Sequence, residues 1–455
     1  MRFFIFLILI ISTQLTVATA QEQQQITLKE FIERGIERSG LVQYERGAVS
    51  LAENRIGQAR SSRILPRVDL NTNHGLIPGV VSQTGLPKGQ YYLDPNLENN
   101  WEDWAIFTRA EISALQPIYS WGAINKAIRA AEAGAIAAEQ SFNAKQDEVA
   151  LQLYELYYSY LLAIEIERIL DDAERTINRI GDTLKEMQDE MDPDLKERDV
   201  FQYDIFKTEF QIQKTQVAQS KDVVNRIWNY ILGSNNYAPS EAFLDPVKYD
   251  LLSFDEFHEY ALQNRPEIKG VNAGIDALRN VADATRAQNY PLFYLGLTAS
   301  YANTPNRPRQ TNPFIINNTN FASAGIGFGI RQNLNFSAMR TQNERAEIEF
   351  KRGTDLRNAL TDGIMLELNE KYSEAVVAET KVTQLEEALR ITREWVRHEQ
   401  LNYDYGFGDV EDLLDASRKE LELRVQVKQS VYELNKKIAA LYKSAGLPVT
   451  ELGHN

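Results

Sequence analysis

The chain of 455 residues carries 49 Lys and Arg against 64 Asp and Glu, a formal charge of −15, with 43% hydrophobic and 25% charged residues. That composition is globular or coiled-coil rather than disordered, and its acidic balance argues against nucleic acid, whose phosphates call for clustered Lys and Arg. The lack of cysteine removes disulfides, thiol nucleophiles, iron–sulfur clusters and thiolate zinc sites together.

Residues 1–20 read as a cleaved secretory signal. Arg2 precedes the apolar run Phe3 to Ile11, and the small-residue site Ala18-Thr19-Ala20 stands before Gln21. No Cys follows that site, so no lipid anchor is expected there. Beyond it no run of eighteen apolar residues occurs, so no helix is expected to span a bilayer. The exported chain either stays in solution or enters a membrane as β-strands.

The first structural repeat is read over 21–250. It opens with TLKEFIERGIERS, in which Thr27 and Glu30 form a capping box and Leu28, Phe31, Ile32, Gly35 and Ile36 share one helical face. A medium helix from Gly40 to Ile64 runs to Pro66. A strand follows at about 67–75, with Val68, Leu70 and Thr72 alternating with Asp69, Asn71 and Asn73. The Pro-, Asn- and Gly-rich stretch from about Gly75 to Trp104 reads as a loop. Its Tyr91, Tyr92, Trp101 and Trp104 fit either a membrane headgroup level or ordinary loop packing. A second strand is read at about 105–118, where Ile106, Thr108, Ala110, Ile112 and Ala114 alternate with Phe107, Arg109, Glu111 and Ser113. A helical hairpin then covers 123–233. Its long arm, Ala123 to Glu190, carries the coiled-coil stripe Val149, Leu153, Leu156, Tyr160 and Ala163. A second stripe, Leu151, Tyr154 and Leu161, suggests neighbours on more than one side.

At Ser253 the pattern begins again. SFDEFHEYALQNR repeats the first helix with the capping box Ser253 and Glu256, and LRNVADATRAQNYP, ending at Pro291, parallels AENRIGQARSSRILP, ending at Pro66. This second repeat, 251–446, carries strands at about 292–302 and 321–334 and a helical hairpin over 338–445, followed by a tail at 447–455. Leu295, Leu297, Ala299 and Tyr301 form one strand face, and Ala322, Ala324, Ile326, Phe328 and Ile330 the other. In the long arm, Leu368, Tyr372, Ala375, Val382, Leu385, Leu389, Thr392 and Val396 mostly keep three-four spacing. Each long arm is on the order of 95–100 Å. Two medium helices placed end to end nearly equal one such arm, so they are expected to run beside it.

Each strand is about ten residues, the length that crosses an outer membrane at a tilt with apolar faces to lipid. Four strands cannot close a barrel, and an open edge in lipid leaves backbone groups unpaired at several kcal/mol each. Strands of this kind in a membrane therefore require copies that share one barrel.

These features together resemble the TolC-like outer-membrane efflux proteins. The resemblance rests on the duplicated helix openings, the Ala-Arg to Pro transitions into strands at Pro66 and Pro291, LQPIYSWG at Leu115 to Gly122, and YDYGFGDVEDLLDA at Tyr403 to Ala416. It implies a mainly α fold with a transmembrane β-barrel portion, built as a homotrimer: a 12-stranded barrel in outer-membrane lipid above a long coiled-coil α-helical barrel in the periplasm. It further implies a periplasmic adaptor (membrane fusion protein) and an inner-membrane pump as partners. The chain would be the exit duct of a tripartite efflux pump or type I secretion system, carrying small molecules or polypeptides.

In such ducts the helical end narrows to a gate, and the gate carboxylates would fall on Asp412 and Asp415. Three apart at a helix start, they share a face, and a trimer would make rings that favour cations and can hold a hydrated divalent ion. Asp residues near a helix N-terminus are also stabilised there by its dipole alone. The family's gate latch would fall on Tyr403 and Asp199. Its usual basic partner would fall on Gly408, which supplies no cation, so a weaker or differently built latch is expected.

No catalytic constellation, cofactor motif or metal site is read. His74, His258, His398 and His454 are scattered without an H-E-x-x-H pattern, and Gly325-Ile-Gly-Phe-Gly329 has the period of a strand rather than dinucleotide spacing. A soluble periplasmic coiled-coil scaffold or adaptor, with its strands in a capping sandwich, is the alternative to a duct. An exported enzyme is a third reading.

Overall fold

The computed structural model describes residues 24–452 except 65, 192–194, 310–313, 315–316 and 406–407, with backbone alone at Ile64 and Tyr92. The signal segment 1–20, the end of the tail, Gly406 and Phe407 of the YDYGFGD stretch, and the centre of the copy-one helical turn lie outside the described residues. The elements in order are β1 (Gln24–Ile26), α1 (Leu28–Arg38), α2 (Gly40–Ile64), β2 (Arg67–Ser82), β3 (Leu97–Tyr119), α3 (Ala123–Asp189) and α4 (Glu197–Leu232). Then come β4 (Tyr237–Pro239), α5 (Phe254–Asn264), α6 (Pro266–Ala287), β5 (Leu292–Asn303), β6 (Phe321–Arg331), α7 (Phe336–Asp404) and α8 (Val410–Ser444). The series α1-α2-β2-β3-α3-α4 thus recurs as α5-α6-β5-β6-α7-α8.

Local chemistry sets these boundaries. Both capping boxes form: the Thr27 hydroxyl accepts from the Glu30 backbone and the Ser253 hydroxyl from the Glu256 backbone, and each Glu side chain accepts from its cap's N–H. Gly233 closes α4 in the left-handed region, at φ 69°. Trp121 and Gly122, at φ 53° and 83°, turn the chain out of β3 into α3.

The elements fall into two compact units. One comprises Tyr44–Asn143 and Pro266–Asp362; the other comprises Ala144–Arg265 and Gly363–Asn455 with the stretch up to Gln43. The first unit holds a four-stranded sheet of order β2-β3-β5-β6, antiparallel at every pairing. Its first hairpin is longer than the strands at about 67–75 and 105–118 that alternation predicts. The ladder continues past a register shift at Pro78/Gly79, pairing Ser82 with Leu97, so most of the expected loop is strand. The shift frees main-chain carbonyls, and a distant loop satisfies them. Asn306 Nδ2 donates to Ile77 O (3.2 Å) and Asp103 O (2.6 Å), and Arg307 donates to Pro78 O at 3.1 Å. The last strand ends at Arg331, short of the expected 334. Its glycines leave room for a ring: a Cβ on Gly329 would stand 2.5 Å from Tyr294 Cζ, and Arg331 covers the other part of that ring at 5.3 Å.

The second unit is helical apart from the short parallel pair β1–β4. On α7 the predicted stripe is the packed one: Leu368, Ala375, Val382, Leu389 and Thr392 are buried. On α3 both stripes are covered, with Leu153 and Tyr160 buried from one and Tyr154 and Leu161 from the other. Near β1, Trp228 is sandwiched between Phe31 (4.3 Å) and Tyr160 (4.6 Å), and the Tyr157 hydroxyl donates to Ile26 O at 3.1 Å. Such aromatic stacks add to the gain from burial alone.

Candidate functional site

Two regions carry the chemistry of the molecule, the sheet and the turn end of the helical unit. In the sheet, cross-strand partners lie on one face. The registers align Leu70–Ile112–Ala299–Ala324 and Val68–Ala114–Leu297–Ile326 across all four strands, with Thr72–Ala110–Tyr301–Ala322 beside them. These rows are the alternating apolar sets read from the sequence, and they stand uncovered: Ile326 is 71% and Leu70 63% exposed. The opposite face aligns Asn71–Glu111–Ser300–Ser323 and Asp69–Ser113–Thr298–Gly325. The outer edges of β2 and β6 have no strand beside them among the described residues.

Aromatic residues gather where strands meet helices. Tyr119, Trp121, Tyr290 and Phe293 form a chain of ring contacts, and Trp121 Nε1 donates to Pro291 O at 2.9 Å. For the first loop the sequence left Tyr91, Tyr92, Trp101 and Trp104 open between a headgroup level and ordinary loop packing. Trp101 and Trp104 stand exposed there, on β3, whereas Tyr91 is buried, as ordinary packing has it.

The turn end is built around an apolar cluster of Leu184 from α3, Tyr203, Phe206 and Phe210 from α4, and Val410, Leu414 and Leu421 from α8. Tyr403 packs against it. The Tyr403 hydroxyl donates to Met187 Sδ at 3.3 Å. Asp199 is buried on the first turn of α4; its Oδ1 has no hydrogen-bond partner among the described residues, and Arg198 Nε lies 4.0 Å away. The two residues expected to form a latch are thus brought to one end of the unit.

Asp412 and Asp415 are both exposed on the first turns of α8. Asp412 has no ion pair among the described residues, whereas Arg418 lies 3.5 Å from Asp415 and 3.8 Å from Glu209. Gly408 is required by space: a Cβ there would lie 2.9 Å from Asn402 Cβ and 3.0 Å from Tyr403 N. No basic side chain fits at that position.

Cations arrive from α4 instead, a feature the sequence reading missed. Lys196 pairs with Asp409 at 2.7 Å, Arg198 with Glu411 at 2.5 Å, and Gln202 donates to Glu411 at 3.0 Å. The hydrogen bond with Asp409 raises the Lys196 pKa, and the same bond lowers that of Asp409. These pairs tie the start of α4 to the start of α8. Further along α8, Arg424 bonds Asp172 of α3 at 2.7 Å.

Residues 31–186 and 258–447 match the family described as outer membrane efflux protein. The chain belongs to that family. Among the curated proteins compared, none matches. Among solved structures, CusC, described in terms of transmembrane channel formation, is 14% identical over 92% of each chain, with a TM-score of 0.73. The outer membrane protein VceC of Vibrio cholerae is 15% identical over 93% of this chain and 96% of its own, at 0.71. The outer membrane channel CmeC of Campylobacter jejuni is 13% identical over 93% and 87%, also at 0.71.

This outer membrane efflux protein therefore carries the duplicated fold of outer-membrane channels and acts as an exit duct. The family and the resembling structures are channels rather than enzymes. No helix among the described residues is long and apolar enough to cross a membrane.

Proposed function

We propose that three copies of this chain close one 12-stranded barrel and form the exit duct of a tripartite efflux pump or type I secretion system. The observation that carries this reading is the sheet, whose one face is apolar and uncovered and whose edges have no strand beside them among the described residues. In hydrocarbon each unpaired backbone group costs several kcal/mol, so neighbouring copies must continue the ladder. Four strands per copy fall short of the eight or more that membrane barrels use, and threefold closure is the family's solution. The repeats 21–250 and 251–446 each contribute one hairpin to that barrel and one helical hairpin to the periplasmic part, where an adaptor and an inner-membrane pump dock.

At the turn end, Asp412 and Asp415 are assigned to the gate. Threefold repetition would make rings of carboxylates, the outer one free to meet a cation and the other shared with Arg418. Tyr403 and Asp199 remain the candidate latch pair, with Lys196–Asp409 and Arg198–Glu411 as the ties that replace the cation lost at Gly408. Purified protein reconstituted in planar bilayers tests this. Wild type should conduct with a preference for cations and be blocked by divalent ions, and D412A/D415A should lose most of that preference and block. Equal ion selectivity in both proteins removes the gate assignment. A monomer in detergent by native mass spectrometry, extracted by carbonate without detergent, removes the duct itself in favour of a periplasmic scaffold.

A further inference from the structure

The duplication supplies an internal control for charge beside the sheet. In copy one, Arg60 of α2 pairs with Glu132 of α3 at 2.6 Å; in copy two, Arg286 of α6 pairs with Glu347 of α7 at 2.5 Å. Each copy therefore staples its medium helix to its long helix with one Arg–Glu pair. The surroundings of the two staples differ in sign. Three residues beyond Arg60 stands Arg63, whereas three beyond Arg286 stands Asn289. Three residues before Glu132 stands Arg129, whereas three before Glu347 stands Glu344, which is paired with Arg340 at 2.9 Å. Arg286 is further neutralised by Asp283 at 3.7 Å.

Arg63 and Arg129 are exposed and have no ion-pair partner among the described residues. With Arg60, Asn125, Ile128 and Glu132 they line an open cleft of about 620 Å³. Three guanidinium groups against one carboxylate leave the cleft with positive charge in excess. Guanidinium forks match the oxygens of a phosphate group in pairs, which ammonium groups do not.

The cleft also lies at a defined level. The α2 helix ends at Ile64, shortly before β2 begins at Arg67, and α3 begins at Ala123, shortly after β3 ends at Tyr119. Arg129 is then about 9 Å of helix below the strand ends. The headgroup layer on each side of a bilayer is about 5–8 Å thick, and an Arg side chain extends its charge toward it.

We propose that Arg60, Arg63 and Arg129 form a binding site for a phosphate-type anion, filled in the membrane by the headgroup of an anionic phospholipid. The lipid as source rests on the strands spanning the membrane; anion binding by the cleft does not. Copy two, built on the same staple without the two extra arginines, lacks the site.

The test uses full-length protein, delipidated in neutral detergent, titrated by calorimetry with inorganic phosphate and with phosphatidylglycerol or phosphatidylcholine in mixed micelles. R63N/R129E places in copy one the residues that copy two already carries at these positions. It should weaken binding of phosphatidylglycerol about tenfold or more, as loss of charge-assisted hydrogen bonds does. N289R/E344R, the reverse exchange, should add a second site per chain. Phosphatidylglycerol binding tighter than inorganic phosphate identifies the lipid as ligand, and equal binding identifies the phosphate group alone. Binding that is the same for wild type and R63N/R129E with both probes overturns the site, as does equal affinity for phosphatidylcholine. Single-channel conductance of R63N/R129E should match wild type, which separates a failed site from a failed channel.

Discussion

The sheet and the turn end of the helical unit use the same residue types in opposite senses. In the sheet, Leu70, Ile112, Leu297 and Ile326 share one face and stand exposed, and the polar rows with Glu111, Ser300 and Asn71 lie on the other. At the turn end, Phe206, Phe210, Val410 and Leu414 are buried against one another, and Lys196, Arg198, Asp409 and Glu411 ring them in water. One chain thus meets two solvents. The contrast teaches that exposure of apolar surface is a defect only relative to the solvent; a period of two read beside long amphipathic helices marks where the solvent changes.

The largest expected effect breaks the buried side of this comparison. Phe210 is 2% exposed in the cluster that joins α3, α4 and α8. Phe210→Ala should destabilise the helical unit by about 3–5 kcal/mol, through lost transfer energy and the cavity left behind. Thermal melting of the purified protein followed by circular dichroism checks it, with exposed Gln213→Ala on the same helix as a near-neutral control. A loss below 1 kcal/mol for Phe210→Ala would mean that the cluster is not a close-packed core.

Next in size is a charge on the exposed side. Leu297, in the middle of β5, lies in an outward apolar row, and its neighbour Thr298 lies in a polar one. Leu297→Arg should cost about 2–4 kcal/mol at the bilayer midplane, whereas Thr298→Arg should be tolerated on the polar face. Membrane-inserted, heat-modifiable protein on cold gels measures this. Equal tolerance of both substitutions would place the two faces of the sheet in one solvent, as the scaffold reading demands.

The sequence disclosed most of this division, and its failures have identifiable causes. Helix limits such as Gly40–Ile64 and Ala123–Asp189 were legible because caps, prolines and glycines stand at the boundaries. The apolar strand faces were legible because their period is local. The true extent of β2 and β3 was not, since Pro78-Gly79 carries the signal of a turn, and the ladder survives it through Asn306 and Arg307, 229 residues from the Ile77 and Pro78 carbonyls they satisfy. At the turn end, Asp412 and Asp415 could be singled out from local spacing, but Lys196 and Asp409 are 213 residues apart. Each reads as an ordinary surface charge until the fold joins them. The glycine at 408 was legible as a missing cation; that Asn402 and Tyr403 leave no room there for a Cβ was not.

The smallest expected effect sharpens the comparison at its polar rim, where ion pairs bind helix to helix. Asp172 on α3 accepts from Arg424 on α8 at 2.7 Å and from Arg175 at 3.0 Å. The Arg424 hydrogen bond is the main cause that lowers its pKa, partly opposed by burial. A carboxylate whose pKa is lower folded than unfolded contributes stability above its unfolded value, near 4, and loses that contribution as pH falls through the folded value. Since Asp172 is 46% exposed at its side chain, solvent screening holds the gain to about 0.5–1 kcal/mol. Arg424→Met, which keeps much of the aliphatic stem, should therefore melt below wild type at pH 7, and the gap should close as the pH falls below about 4. A gap that persists unchanged at pH 2.5 would show that Arg424 acts through the packing of its stem, and that the rim of this cluster is held by the same apolar contacts as its centre.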